Sequence, residues 1–490
     1  PYLDELKKNS GGWHYDAEQD RIHVNFGDKK PGDHQVEITT RRRVFAPHVW
    51  GLGYIVVEGF VIEHCGNNYP SNFWREPKWA QSGALGLRGG HHWVVRNNIV
   101  RFASADGMDM GRGGGNNERE SKSIKGAPVG EDNLIERNYL IDNGAAGICG
   151  SQSLRLVFRD NVIMRNNTYG FTGKKRYEHS GFKAHGIRDA VVERNLVADN
   201  ERSPGIWFDN MFPGSRISRN LVVNNGGRGI FLEMSDYRDG KWDTAWVDHN
   251  ISVGNDTQFY SHDAAGATTM HNLFANSSDD AHYGQGAFIY QVGARTNSAY
   301  HSLFNNIFVK HKGGVMLDVN YPSHRSGPQR FDHNVYDATP GSRRYRINSA
   351  SDVPSPWEFD AFADLVRKDG GAEGAPLNTE HPRIARVELT LDEWRKFWDA
   401  HGQSNDRGSR ETSGMKVSFD PDALELTVFM PFDPRKMGAT RRKMVTVDYF
   451  GNSLPGDRPA LPGPFQDLKE GENVFAVWTG PRPLGRGELP

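Results

Sequence analysis

An all-β fold organised as a right-handed parallel β-helix is predicted by three observations: a phrase that recurs along the chain, a spacing that fits one coil of three short strands, and an in-and-out alternation. The phrase consists of apolar residues, a polar pair ending in Asn, then apolar residues again. It reads VVRNNIV, LIERNYLI, VFRDNVIM, VVERNLVA, ISRNLVV, WVDHNISV, TMHNLFA, LFNNIFV and FDHNVYD. Repeats of this length are the signature of solenoids.

The matching asparagines are Asn98, Asn138, Asn161, Asn195, Asn220, Asn250, Asn272, Asn306 and Asn334, at intervals of 40, 23, 34, 25, 30, 22, 34 and 28 residues. The shortest intervals give one bare coil, and longer ones add an inserted loop. About ten residues after several of these asparagines comes a Gly and a short alternating strand: GMDMG, GICGS, GFKAH, GIWFD and GIFLE. β-Branched and aromatic residues supply strands, while Gly and Asn take turn conformations that other residues resist. Asn also tolerates the left-handed backbone region, and stacked amides can ladder hydrogen bonds between coils. An α-solenoid is excluded because the repeat has no 3.6-residue period.

These signals divide the chain into a small N-terminal β module (1–50), the β-helix (51–340), a linker with a short helix (341–383) and a C-terminal β-rich accessory region (384–490). The N-terminal module rests on Trp13-His14-Tyr15-Asp16, Ile22-His23-Val24 and Val36-Glu37-Ile38. The C-terminal region rests on a helix near Leu391–Ala400 and strands at Leu424-Glu425-Leu426 and Val445-Thr446-Val447. A bare helix end exposes an unpaired sheet edge, so a cap is expected at each end.

Composition excludes several classes of function. With 59 basic and 61 acidic residues the chain lacks the positive surplus of a nucleic-acid binder. No apolar run approaches the roughly 18 residues of a membrane span. The two cysteines, Cys65 and Cys149, signal neither a disulfide scaffold nor a zinc site. Asp106-Gly107-Met108-Asp109 offers two carboxylates to a structural calcium ion, a poor set without further acids; no other cofactor and no metal ligand set is read. The partner is therefore sought among carbohydrates, which pack their C–H faces on the aromatic rings that make up 11% of the chain. Self-association is left open, and secretion or periplasmic export follows from that substrate class.

In the strand after each repeat glycine, the first and third residues should face the interior: Met108/Met110, Ile148/Gly150, Phe182/Ala184, Ile206/Phe208, Ile230/Leu232 and Phe259/Ser261. The fourth residues then face outward in a row of Gly111, Ser151, His185, Asp209, Glu233, His262, Gln291 and Asp318. The second residues form a parallel row of Asp109, Cys149, Lys183, Trp207, Phe231, Tyr260, Ile289 and Met316. His185, Asp209 and Glu233 are each 24 residues apart, one coil, so they should lie on neighbouring strands about 4.8 Å apart. Two carboxylates at that separation fit a retaining glycosidase, one as nucleophile and the other as acid/base. Loops at Cys65–Ser82 (Trp74, Trp79), Gly111–Glu131, Lys174–Ser180 (Tyr177) and Ser235–Thr244 (Trp242) would wall the cleft.

The run GIWFDN (205–210), RISRNLVVNN (216–225), GIFLEMS (229–235) and WVDHNIS (246–252) resembles the active-site coils of the glycoside hydrolase family 120 β-xylosidases. That resemblance implies Asp209 as nucleophile and Glu233 as acid/base. The same coils, with GWHYD, VEITTRR and GPFQDL, also resemble β-helical proteins near glycoside hydrolase family 141, which includes fucosidase and xylanase activities.

Plainer readings compete with these. A single outward acid on a β-helix is ordinarily a solvated surface charge, but like charges stacked on adjacent strands cost energy and tend to be kept at functional sites. His185 and Lys183 either bind substrate or merely counter Asp209. Trp207, Asp109, His262, Tyr177 and Trp242 complete the candidate substrate-binding set, although loop tryptophans often serve only as anchors. The rival functions are a polysaccharide lyase using Lys183 or His185 as base on a uronic-acid glycan, and a non-catalytic carbohydrate-binding β-helix.

Overall fold

The computed structural model describes residues 2–67, 83–111, 130–170, 179–210, 212–235, 237–238, 241–242, 245–278, 286–291, 300–311, 314–322, 328–349, 359–378, 385–439, 441–442, 445–454 and 459–490. The chain divides into two compact units, 1–40 and 41–490. The first contains an antiparallel hairpin of Trp13–Asp16 and Arg21–Val24, with Trp13 opposite Val24 and Tyr15 opposite Ile22. Val36–Ile38, read as a strand, lies outside any strand.

In the second unit the coils stack into three long sheets. A ten-stranded sheet runs from Val56–Glu58 to Arg330–Asp332, and an eleven-stranded one from Val61–Glu63 to Arg410–Thr412. A twelve-stranded sheet begins at Leu85–Gly86 and carries every strand that follows a repeat glycine. Neighbouring coils pair in parallel and in register, as in Ile206↔Ile230 and Leu221↔Ile251. The fold is a right-handed parallel β-helix, and its interior is the continuous apolar cluster that includes Met108, Ile148, Phe182, Ile206, Phe208, Ile230, Leu232 and Phe259.

The repeated asparagines form a buried amide ladder. Each Nδ2 donates to the next Oδ1, from Asn98 through Asn138, Asn161, Asn195, Asn220, Asn250, Asn272 and Asn306 to Asn334. The left-handed backbone, however, belongs to the residue before each: Asn97, Arg137, Asp160, Arg194, Arg219, His249, His271, Asn305 and His333 all have positive φ. These preceding residues carry the turn, and the ladder asparagine satisfies buried backbone groups. A second ladder lies five residues further on, through Asn143, Asn166, Asn200, Asn225 and Asn255.

The repeat glycines are likewise not turn residues. Gly147, Gly181 and Gly205 have no positive φ. A Cβ on Gly181 would lie 2.8 Å from the Gly205 carbonyl oxygen and 2.9 Å from Asn200 Nδ2 of the second ladder. The glycines are there because the coils approach too closely for a side chain.

The stretch expected as a linker with a short helix, 341–383, contains the helix Phe359–Gly370 and also Tyr345–Asn348, which continues the twelve-stranded sheet. Within 384–490, Arg386–Leu389 pairs antiparallel with Tyr345–Asn348, and Arg410–Thr412 lies parallel on Val335–Asp337. The helix Leu391–Ala400 starts with a Thr390–Glu393 capping box and buries Leu391, Trp394, Phe397 and Trp398. Its Trp394 stacks on Phe331 at 5.9 Å, joining the interior cluster and closing the C-terminal end. Val445–Val447 makes one bridge, Val447 to Ser453, rather than a strand. The antiparallel sheet of Lys416–Asp420, Glu425–Met430 and Gly471–Ala476 covers the outer face of the eleven-stranded sheet, with Val417, Leu426, Val428 and Phe475 packed in one cluster with Ile141, Leu221, Ile251 and Leu273.

Candidate active site

In the twelve-stranded sheet, residues of successive coils pair in register and fall into rows. One row runs Ser151, His185, Asp209, Glu233, His262 and Gln291. The other runs Asp109, Cys149, Lys183, Trp207, Phe231, Tyr260 and Ile289 and then continues with Asp318 and Arg346. Asp318 was expected in the first row and Met316 in the second. The difference arises at Gly314, whose φ of 74° marks a turn and not the close approach of the other repeat glycines. Asp318 instead pairs with Arg346 and Asn348, far along the sheet from Asp209.

Asp209 and Glu233 end neighbouring parallel strands, Ile206–Asp209 and Arg228–Glu233, as direct Cα partners. Asp209 is buried, with only 3% of its surface exposed, while Glu233 is partly exposed. The Lys183 ammonium donates to Asp209 Oδ2 at 2.9 Å, and His185 Nδ1 lies 3.2 Å from the same oxygen. Asn210 Nδ2 also lies 3.3 Å from His185 Nδ1. One ring nitrogen cannot both donate to Asp209 and accept from Asn210, and the charged carboxylate is the stronger partner. Asp209 Oδ1 is buried with no hydrogen-bond partner among the described residues. An unpaired buried oxygen of this kind costs about 1–3 kcal/mol, which native proteins avoid unless a ligand or water completes it.

Lys183 and Trp207 are packed against each other. The Lys183 side chain is fully buried, and its Nζ lies 2.8 Å from the centre of the Trp207 ring. Phe231 stacks on Trp207 from the next strand, with centroids 5.0 Å apart and planes 26° apart. The strands carrying Lys183 and Phe231 flank that of Trp207 on opposite sides, so both indole faces are covered. The ring contacts continue to Tyr260, tilted 55° to Phe231 at 5.2 Å, and on to His262, whose ring lies nearly parallel to Tyr260 at 5.9 Å. Arg228 reaches over Phe231 and Tyr260 at 4.2 and 4.3 Å. His262 keeps 32% of its side chain exposed beside Glu233.

Asp109 is buried at the far end of the second row and accepts from the backbone N–H groups of Leu87 and Gly83. Burial pushes its carboxyl up to about 6, against the opposing pull of Arg43 and those N–H bonds. It is two strands from Lys183 and bonded to the preceding coil, so it is not brought to the Asp209 cluster. Tyr177, Trp74, Trp79 and the side chain of Trp242 lie outside the described residues. Among the described residues no group of three or more His, Cys, Asp or Glu could hold a metal ion, and Cys65 and Cys149 are separate buried thiols. No described helix is long and apolar enough to cross a membrane.

Asn210, Arg228, Phe231 and Tyr260 were not singled out from the sequence as site residues. For the two aromatics the signal was present, since both follow Trp207 in the second row.

Comparison with known proteins places this geometry in context. Residues 48–274 match the family model described as the right handed beta helix region. No curated protein matches the chain. Among solved structures, XylC in complex with xylose is 17% identical with a TM-score of 0.55, over 93% of this chain and 72% of that one. Pectate lyase Pel9A is 12% identical with a TM-score of 0.33, over 60% of this chain and 69% of that one. The A-module of the mannuronan C-5 epimerase AlgE4 from Azotobacter vinelandii is 12% identical with a TM-score of 0.32, over 58% and 73%. At these identities the likeness is one of fold.

Proposed function

We propose that the chain is a carbohydrate-acting enzyme that hydrolyses glycosidic bonds with retention, with Asp209 as nucleophile and Glu233 as acid/base. The observation that carries this reading is the pairing of two carboxylates in different surroundings on adjacent strands. Asp209 has Oδ2 held by Lys183 and His185 and Oδ1 without a partner among the described residues, while Glu233 stands next to it and partly exposed. Oδ1 would attack the anomeric carbon as Glu233 protonates the leaving oxygen. Glu233 would then take a proton from water as that water displaces Asp209. His262, beside Glu233, would meet the sugar on the leaving-group side, with Tyr177 and Trp242 as further contacts from the loops. That XylC, of the same fold, was solved with xylose accords with a sugar substrate of xylo-, fuco- or arabino-type. Such glycans are met outside the cytoplasm, so the reading carries secretion or periplasmic export with it.

The second reading is β-elimination on a uronic-acid glycan with Lys183 or His185 as base. The observation in its favour is that both basic groups gather within 3.2 Å of one carboxylate oxygen. A screen of aryl β-xyloside, α-L-fucoside and α-L-arabinofuranoside, beside a uronic-acid polysaccharide, separates the two. Hydrolysis should release a reducing sugar with no ultraviolet-absorbing double bond, and Asp209→Asn and Glu233→Gln should each abolish it. Unsaturated products would establish elimination. Full activity of either variant would remove the proposed pair, and binding without product would leave a carbohydrate-binding module.

A further inference from the structure

Among the described residues of the outward face, Lys183 is a fully buried cation held between neighbouring coils. Its ammonium group has Asp209 Oδ2 at 2.9 Å and the Trp207 ring centre at 2.8 Å, within a side chain that is fully buried. A buried ammonium is tolerated only where charge and hydrogen bonds compensate its lost hydration, and here a carboxylate and a π-face supply that compensation. Trp207 cannot turn away, because Phe231 occupies its other face and Tyr260 packs behind Phe231. The ring stack therefore fixes where the ammonium sits, and the ammonium fixes which oxygen of Asp209 is occupied.

We infer that Lys183 is a positioning residue for Asp209, held by the Trp207–Phe231–Tyr260 stack, and neither binds sugar nor acts as a base. Its work is to pin Oδ2 so that Oδ1, which has no hydrogen-bond partner among the described residues, is the oxygen presented to substrate. His185 contacts the same oxygen at 3.2 Å and reinforces that choice. Without the ammonium, the carboxylate plane could turn away from the line of attack, and misplacement of about 1 Å costs about 10²-fold in rate. The inference rests on Asp209 being the nucleophile.

The test uses the full chain on the aryl glycoside that it turns over fastest, with Lys183→Ala, Lys183→Met and Asp209→Asn. Lys183→Ala should lower kcat by about 10²-fold and leave KM unchanged. Propylammonium chloride, which can refill the space of the lost side chain, should restore part of kcat where sodium chloride at equal ionic strength does not. Lys183→Met keeps the volume without the charge; it should fold, as read by circular dichroism and thermal melting, and be as slow as Lys183→Ala without rescue. Asp209→Asn should be inactive with or without the amine. Wild-type kcat in Lys183→Ala beside an inactive Asp209→Asn would overturn the inference and leave the proposed function standing. An active Asp209→Asn would overturn the proposed function itself. A raised KM at unchanged kcat would make Lys183 a sugar contact, and an amine-dependent unsaturated product would make it a base. Failure of both Lys183 variants to fold would count against the inference, since Lys183 would then be holding the fold and not one carboxylate.

Discussion

Gly205 and Gly229 stand on adjacent coils so close together that no side chain fits between them: a Cβ on Gly205 would lie 2.8 Å from the Gly229 carbonyl oxygen. The same Cβ would meet Val222 Cγ1 at 2.8 Å and Asn225 Nδ2 at 3.0 Å, so the obstruction includes backbone and ladder amide, not only a side chain that can swing aside. The strand that begins at Ile206 and ends at Asp209 is therefore seated by a glycine.

Gly205→Ala should cost about 1–3 kcal/mol of stability, the usual penalty for overpacking a closely fitted interior. Because the displaced segment leads into Asp209, catalytic rate should fall further than stability alone explains. Thermal melting and kcat measured together check this. A variant with wild-type melting and wild-type kcat would show that the coils can part at no cost.

His271 supplies a second prediction, about the C-terminal sheet. Its Nδ1 lies 3.0 Å from the Leu461 carbonyl oxygen, to which it donates, and its Nε2 accepts from Asn305 at 3.1 Å, which fixes a neutral ring. Burial pushes its pKa down to about 3, and the stacked His249 ring pushes in the same direction. Below pH 6.5 the unfolded chain takes up a proton at this histidine that the folded chain refuses. The stability it contributes is complete above about 6.5 and is lost as pH falls toward 3, at up to about 1.4 kcal/mol per unit. Denaturation curves between pH 7.5 and 4.5 should show a smaller acid loss for His271→Gln than for the wild type. Hydrogen exchange should rise near Leu461 as acid loosens the contact. Equal pH slopes for the two proteins would refute it.

How much of this could be seen in the sequence depends on the range of the interaction that decides it. The spacing of His185, Asp209 and Glu233 equals one coil, and register in a parallel sheet follows from coil length alone, so their row was legible. Asp318 was misplaced because Gly314 and Gly229 look alike as letters and differ in backbone conformation. The second ladder was spelled out as Asn at the fifth residue after Asn138, Asn161, Asn195, Asn220 and Asn250, a pattern obscured because asparagine is also an ordinary turn residue. The burial of Lys183 and Trp207 was out of reach for a different reason. Alternation says which face a side chain takes, and only the rings of neighbouring coils say whether that face is covered. The packing of Val417 and Phe475 over Leu221 joins residues about 200 or more positions apart, which no local period encodes.

The stereochemical prediction returns to Asp209 and Glu233. They are direct partners on neighbouring parallel strands, which lie about 4.8 Å apart. A retaining glycosidase holds its two carboxyl groups about 5–5.5 Å apart, whereas an inverting one needs roughly 6.5–9.5 Å to admit a water between acid and base. The strand spacing falls nearer the retaining separation than the inverting one, and Asp209 is buried with 3% of its surface exposed. The first anomer released from an aryl glycoside, followed by NMR before mutarotation, should therefore match the substrate. Added methanol should give a methyl glycoside of the same configuration, because a covalent intermediate on Asp209 can be opened by an alcohol as well as by water. Release of the opposite anomer would exclude Asp209 and Glu233 from acting as a nucleophile and acid/base pair.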